Sequence, residues 1–362
     1  MKTISCSAGY GSGGLGQHLT QLVEEARGDG TLGGYFSGAP QADDESGIRV
    51  ETTSSGWVFQ YTPVRFSPAW KNFLGGDQLD RAVAARLTPG ETFHGFNGQA
   101  LHSFRRAQAL GYRQLVLESA TTHVDHVLRQ QRKAHQLFGW EAGWMNETQR
   151  RKTLREYALA DTIYVASQLS YDTFREAGVP DSKLRRRTLT VYPLFVPPAQ
   201  PVGDGKFRIV YVGSVSVMKG IPLLREAFSR LTSPDAELTL VGGWGTRTMK
   251  HYLRDWQRLD PRVHIAPGDP LPHLQRADVC VHPSFTDGFG LAPAEALACG
   301  VPVIVTEDTG MKDLVQEGVN GYIVPTGDWE AILERLEHFH QHRIQWADSR
   351  DSLKVRHENS IL

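Results

Sequence analysis

The chain has 362 residues, 40% of them hydrophobic and 22% charged, and a formal net charge of −1. That length suffices for two domains of ordinary size, and the composition is that of a globular protein. The near-neutral balance creates no field to draw a nucleic acid, and the well-separated Cys6, Cys280 and Cys299 fit reduced, buried thiols better than a disulfide frame or a metal site.

Taken in chain order, strand and helix signals alternate, which predicts parallel sheets in an α/β protein. In the first half, strands are expected at residues 3–7, 58–61, 92–96, 115–118, 162–166 and 188–192. Helical spacing falls at 15–26, 78–86, 99–110, 124–136, 147–159 and 170–177. Residues 38–55 are polar, acidic and glycine-containing, and read as a mobile loop. Prolines and glycines then punctuate a linker at 196–206. The pattern restarts with strands at 208–212, 237–241, 263–266, 279–282, 301–305 and 322–324, and helices at 221–231, 246–258, 292–298 and 329–339. Two doubly wound, Rossmann-like domains follow, 1–195 and 207–340, facing across a cleft, with a tail at 341–362. Ligands of such folds sit at the carboxyl ends of strands.

The first residues carry too short an apolar run for a signal peptide, and no segment is long and apolar enough to span a bilayer, so the cytoplasm is the expected compartment. His338 and His342 have a ligand-like spacing but lack the glutamate of a H-E-x-x-H motif, and read as an exposed helix end.

Four segments carry chemistry. Gly9-Tyr-Gly-Ser-Gly-Gly-Leu-Gly-Gln-His18 follows the first strand. Gly9, Gly11 and Gly14 satisfy G-x-G-x-x-G, but the ribose-binding acid of a nicotinamide dehydrogenase has no convincing candidate downstream. A glycine loop whose amides approach a diphosphate is the favoured use, against a bare strand-to-helix turn. The second is Val210-Tyr-Val-Gly-Ser-Val-Ser-Val-Met-Lys-Gly-Ile-Pro-Leu-Leu224. A strand delivers Gly213 and Ser214, and Lys219 opens the next helix, where a cation balances a leaving diphosphate. The third, residues 282–303, reads HPSFTDGFGLAPAEALACGVPV. It sets Asp287 in a loop eight positions before a helical Glu295, with Gly288, Phe289, Gly290 and Leu291 leaving amides bare at a helix start. The fourth is Leu117-Glu-Ser-Ala-Thr-Thr-His123, with Arg155-Glu-Tyr-Ala-Leu-Ala-Asp161 downstream.

Together these segments resemble glycosyltransferase family 4, whose members are retaining enzymes of the GT-B fold. The resemblance is strong over residues 208–328 and patchier in the first half. It implies transfer of a sugar from a nucleotide diphosphate sugar, UDP- or GDP-linked, to a hydroxyl of a saccharide, glycolipid or small molecule, with no cofactor and no divalent metal. It gives Gly13, Gly14, Gly213, Ser214, Lys219, Gly288, Phe289, Gly290, Leu291 and Glu295 to the donor. Glu295 would hold the ribose, Asp287 the sugar, and Lys219 the departing diphosphate. His123 would project into the cleft near the reacting groups, with His18, His94 and His126 on the acceptor side. A C-terminal helix at residues 344–353 would cross back to the first domain. Two positions depart from the family pattern: Ser214 stands where many members carry arginine, and Asp287 where many carry glutamate. A non-catalytic nucleotide-sugar-binding protein of the same fold is the rival reading.

Two basic runs remain, Arg150, Arg151, Lys152 and Arg155 near Trp140 and Trp144, and Lys183, Arg185, Arg186 and Arg187. A solvated face with core tryptophans is the ordinary reading; peripheral contact with the inner face of a membrane is the sharper one.

Overall fold

The structure is a computed structural model that describes residues 1–51, 61–62, 67–187, 189–199, 204–343 and 346. The chain divides into two compact units. One comprises Met1–Leu128 with Ala142–Leu189, the other Arg129–Glu141 with Thr190–Leu362.

The first unit is built on seven parallel strands: β1 (Lys2–Gly9), β2 (Leu32–Ala39), β3 (Gly47–Arg49), β4 (Thr92–Phe96), β5 (Gln114–Ser119), β6 (Thr162–Val165) and β7 (Leu184–Arg186). Their order across the sheet is β3-β2-β1-β4-β5-β6-β7. Except for the turn from β2 to β3, the connections are helical: α1 (Gly13–Gly28), α2 (Pro68–Arg86), α3 (Leu101–Ala109), α4 (Val124–Leu137), α5 (Glu147–Leu159) and α6 (Gln168–Glu176). Local chemistry sets the helix starts. Asn146 accepts from the Gln149 amide at 2.9 Å to cap α5, and Ser167 accepts from the Ser170 amide at 3.0 Å to cap α6. Apolar strand residues such as Phe93, Leu117 and Ile163 are buried with Phe104, Val127 and Phe174 from the covering helices.

The second unit repeats the design with β8 (Phe207–Val212), β9 (Ala236–Val241), β10 (Val263–Ile265), β11 (Val279–His282), β12 (Val303–Thr306) and β13 (Gly321–Val324), ordered β10-β9-β8-β11-β12-β13. Its helices are α7 (Ile221–Arg230), α8 (Arg247–Leu259), α9 (Leu271–Leu274), α10 (Leu291–Ala298) and α11 (Trp329–Gln341). In both sheets the order reverses beside the first strand, between β1 and β4 and between β8 and β11. A crevice opens at such switch points.

Several expected boundaries move. Residues 38–55 are not a plain loop, because β3 pairs parallel to β2 from Tyr35 opposite Gly47. Helix α2 starts ten residues before the expected 78, at Pro68, with Ser67 as its cap. The last strand of the first unit is β7, so the described part of 188–192 is not a strand. Residues 129–141, expected in the first domain, group with the second unit, and α4 thus begins in one unit and ends in the other. His338 is half-buried against Tyr322 and His340 lies 3.0 Å from Asp235, so this helix end is packed rather than free. The expected strand 58–61 falls almost wholly outside the described residues, as does the crossing helix at 344–353 except Trp346, which packs against Phe339.

Candidate functional site

In the second unit the switch point gathers the expected donor residues. Strand β8 ends at Val212, and Gly213 takes a φ of +138°. Gly242, at φ +153°, lies so close that a Cβ there would meet the Gly213 carbonyl oxygen at 1.9 Å. Glycine is therefore required where the ends of β8 and β9 approach. The loop from Ser214 to Gly220 is held by its neighbours: the Phe285 amide donates to the Met218 carbonyl at 2.9 Å, and Gly220 caps α7 at φ +71° with its Cα against the Pro283 carbonyl.

This clamp brings Lys219 to Asp287. Lys219 Nζ lies 2.5 Å from Asp287 Oδ2, and His282 Nε2 lies 3.0 Å from the same oxygen. Both side chains of the ion pair are partly open to solvent, at 26% and 19% exposure. Burial alone would raise the Asp287 pKa. The Lys219 charge and the hydrogen bond and charge of His282 outweigh it and hold the carboxyl well below its ordinary range. Burial lowers the His282 pKa against the pull of Asp287. Behind His282 the Tyr211 ring stacks at an interplanar angle of 9°, and its hydroxyl donates to the Ser214 carbonyl at 2.7 Å. The Asp287 backbone is fixed at both ends: its amide donates to the Asp308 carbonyl and its carbonyl accepts from Gly310, each at 3.0 Å.

Gly288, Phe289 and Gly290 lead from Asp287 into α10. Gly290 caps this helix at φ +94°, with Pro293, Thr309 and Met311 within 3.2 Å of where a Cβ would stand. Leu291 is the first helical residue, and Glu295 lies one turn on, buried at 4% exposure. Burial and the Glu295 carboxylate together push the Cys299 thiol up to about 12 and Cys280 higher still. All three cysteines are buried and free, and burial raises Cys6 to about 12 despite hydrogen bonds from backbone amides.

Two residues of this site escaped the sequence reading of roles. His282 was visible as a histidine at a strand's carboxyl end, five residues before Asp287. Glu141 gave no local signal, because its partners are distant in sequence. Its carboxylate accepts from the Val217 amide and from the Thr246 hydroxyl, each at 2.6 Å, and Thr246 in turn caps α8. From the same segment Gln130 donates to the Asp308 carboxylate at 2.9 Å. Residues 129–141 thus brace both the Lys219 loop and the Asp287 loop.

In the first unit the glycine loop follows β1. Gly11 and Gly13 adopt φ of +68° and +61°, and Gly11 to Gly14 are exposed, which leaves the start of the 16-residue α1 bare. The close contact with the sheet is made by Gly16, where a Cβ would meet the Gly9 carbonyl oxygen at 2.2 Å. His18 and His94 converge on Glu118, at 3.5 and 3.3 Å, and Arg187 Nε also lies 3.5 Å away. Glu118 is fully buried, which raises its pKa. Hydrogen bonds from the two histidines and the charges of His18 and Arg187 win, and the carboxyl sits well below its ordinary range.

His123 does not project as expected. It is 2% exposed, with its ring against Tyr157 and Phe174 at centroid distances of 5.1 and 5.0 Å, and its Nδ1 accepts from the Asp125 amide. His126 is buried at 8% exposure in the first turn of α4. Glu156, from the Arg155-Glu segment, has a structural use: its carboxylate accepts from the amides of Gly98, Ala100 and Leu101 at the start of α3.

The basic runs turn inward only in part, since Arg151, Arg155, Arg185 and Arg186 stay exposed. Lys152 is buried and reaches Asp77 and Asp80 at 2.9 and 2.6 Å, while Arg150 pairs with Asp125 and Glu147. Asp77, Asp80 and His102 lie close enough to hold an ion, but the Lys152 ammonium bridges the two carboxylates and Arg81 supplies Asp77 with a second cation. Lys183 donates to the Ala158 carbonyl at 2.9 Å, and Arg187 pairs with Glu25.

Residues 196–355 match the family described as Glycosyl transferases group 1. Over 143 residues the chain is 35% identical to the capsular polysaccharide biosynthesis glycosyltransferase CapM of Staphylococcus aureus, covering 37% of each chain. Over 149 residues it is 32% identical to the D-inositol 3-phosphate glycosyltransferase of Paenarthrobacter aurescens, covering 37% of this chain and 36% of that one. The matches thus span little more than a third of these curated relatives. The fold is similar over nearly the whole chain to sucrose-phosphate synthase of Thermosynechococcus elongatus (TM-score 0.73, 21% identity, 98% and 94% of the two chains covered). It is also similar to WaaG, a glycosyltransferase involved in lipopolysaccharide biosynthesis (TM-score 0.72, 15% identity, 99% and 96% covered), and to Anabaena Alr3699/HepE in complex with UDP-glucose (TM-score 0.72, 16% identity, 98% and 94% covered). The chain therefore has the two Rossmann-like domains of GT-B glycosyltransferase structures, and residues 196–355 carry a group 1 glycosyltransferase domain.

Proposed function

We propose that this protein is a family 4 retaining glycosyltransferase that moves a sugar from a nucleotide diphosphate sugar to an acceptor hydroxyl. The observation that carries the reading is the partly open Lys219–Asp287 pair beside the start of α10, which no side chain caps. A cation with the helix-start amides of Leu291 and Ala292 suits a diphosphate, and a fixed carboxylate suits sugar hydroxyls.

In this reading the bond between the anomeric carbon and the diphosphate oxygen breaks as the acceptor oxygen bonds to the same face of the sugar. The acceptor proton passes to the departing phosphate oxygen, so no side chain is needed as base. Lys219 and the α10 amides balance the charge that develops on the diphosphate, and metal ions have no part. Asp287, oriented by His282, holds the sugar, while Glu295 holds the ribose. Gly13 and Gly14 belong to the donor in this reading, and His18 and His94, buried against Glu118, orient the acceptor side without touching the acceptor. His123, which the structure buries, acts by holding the start of α4.

The neighbour with UDP-glucose favours a UDP-linked donor. The named relatives in capsular polysaccharide biosynthesis and D-inositol 3-phosphate glycosylation favour a saccharide or polyol acceptor. The test is a thermal-shift screen with UDP, GDP, their sugar conjugates and NADH, with and without EDTA, followed by turnover and assignment of the product anomer by NMR. Stabilisation by one nucleotide diphosphate, insensitive to EDTA and lost in Glu295→Ala, with a retained anomer, is the expected result. Binding without turnover over a broad acceptor panel would instead identify a non-catalytic sugar-nucleotide binder.

A further inference from the structure

Helix α8 carries a cationic stripe that the donor site does not use. Arg247, Lys250, His251, Arg254 and Arg258 recur at helical spacing, and all five are exposed. Met249, Leu253 and Trp256 are buried and take the opposite side of the helix into the core. Asp255 is the only acid in the helix and lies 3.5 Å from Arg258. Among the described residues, Arg247, Lys250 and Arg254 make no ion pair. In the two basic runs of the sequence, by comparison, Arg150, Arg151, Lys152 and Arg187 are paired with carboxylates, while Lys183 and Arg185 reach backbone carbonyls. A chain of net charge −1 has thus concentrated unneutralised positive charge on one helix face.

Apolar side chains stand at both ends of the stripe. Trp244, 36% exposed, precedes the helix between Gly243 and Gly245, and Lys250 Nζ lies 5.8 Å from its ring centroid. Leu259, the last helical residue, is 66% exposed. A stripe of this size on an amphipathic helix matches anionic headgroups. An exposed tryptophan and leucine beside it match the boundary between headgroups and acyl chains, where a soluble polyanion has nothing to offer them.

We propose that the exposed face of α8 docks this protein on an anionic bilayer surface, with the cations on headgroup phosphates and Trp244 and Leu259 in the interface. This inference is independent of the glycosyltransferase reading, and sugar-nucleotide binding does not enter its test.

The experiment is co-sedimentation of the full chain with vesicles of phosphatidylcholine alone and of a phosphatidylcholine–phosphatidylglycerol mixture, with a heparin column run in parallel. Binding is expected only to the mixed vesicles, weakening as salt is raised. Removing each cation should lower affinity about fivefold, so the triple variant Arg247→Glu, Lys250→Glu, Arg254→Glu should lose more than about 100-fold. Arg254→Lys should retain binding, and Trp244→Ala should weaken vesicle binding without changing heparin elution. Circular dichroism checks that each variant is folded. Failure of the wild type to bind the mixed vesicles overturns the proposal. So does equal binding by the triple variant, and so does retention on heparin with no vesicle binding, which would point to an anionic polymer.

Discussion

The two switch points have the same topology and opposite accessibility. Between β8 and β11 the carboxylate of Asp287 shares its charge with Lys219 in a pair that solvent reaches. Between β1 and β4 the histidines meet Glu118, a carboxylate with no exposure, closed in by His18, His94 and Arg187. The difference teaches that sheet order chooses where polar side chains gather, while burial decides what they do. A partly open pair exchanges its partners for a ligand at small loss, whereas a sealed one holds the fold and orients what surrounds it.

The largest effect should come from the sealed cluster. Glu118→Ala leaves two histidines and an arginine without their buried counter-ion, and should destabilise the first unit by about 3–5 kcal/mol in chemical denaturation. A loss below about 1 kcal/mol would mean that the cluster is not sealed. Lys219→Ala should do the reverse. It should lower turnover about 100- to 1,000-fold, through lost stabilisation of the leaving group, while shifting stability by no more than about 1 kcal/mol. Steady-state kinetics beside a melting curve separate the two.

Glu141 sharpens the comparison, since it joins a buried carboxylate to the open site. Glu141→Ala frees the Val217 amide and the Thr246 hydroxyl, and should destabilise the second unit by about 2 kcal/mol. Faster hydrogen exchange at 215–219 and 243–246, together with a weaker thermal shift by the donor nucleotide, would show that the brace reaches the site.

A smaller effect concerns acid. The folded pKa of Asp287 lies below its ordinary value of 3.8, so its contribution is complete above that value and lost as pH falls through the folded one. Asp287→Asn should therefore lower the second unit's stability at neutral pH and flatten the acid limb of its curve, so that variant and wild type converge as pH falls. Acid titration followed by tryptophan fluorescence reads this. Smallest is Gly13→Ala, where φ is positive but no atom lies within 4 Å of the added Cβ; it should cost about 1 kcal/mol or slightly more. Gly220→Ala, with the same sign of φ but the Pro283 carbonyl in the way, should cost distinctly more in the same melt.

Much of the fold was legible because buried parallel strands are short apolar runs and covering helices repeat apolar residues at helical spacing. Strands 92–96 and 279–282 and helix 147–159 come out with the expected bounds. The misreadings share a cause. β3 is a polar edge strand that exists only because β2 offers it hydrogen bonds, and β7 is an arginine-bearing strand that looked like a basic surface run. Residues of α2 around Gly75 and Gly76 have weak intrinsic preference for helix and are carried by packing. In the site, Lys219, Asp287 and the helix start at Gly290 were legible, since each is a local motif. The inward turn of His123 was not, because Tyr157 and Phe174, which enclose it, lie 34 and 51 residues downstream.

The sequence by itself determined two α/β units, the glycine-rich turns and the acidic and basic residues of the donor segment, because propensity, periodicity and short-range spacing are written residue by residue. Only the tertiary structure decided that residues 129–141 belong with the second unit, that Glu141 and Gln130 brace the loops around Lys219 and Asp287, and which cations stay free. Those outcomes depend on partners tens to more than a hundred residues away, and on a burial that no local pattern encodes.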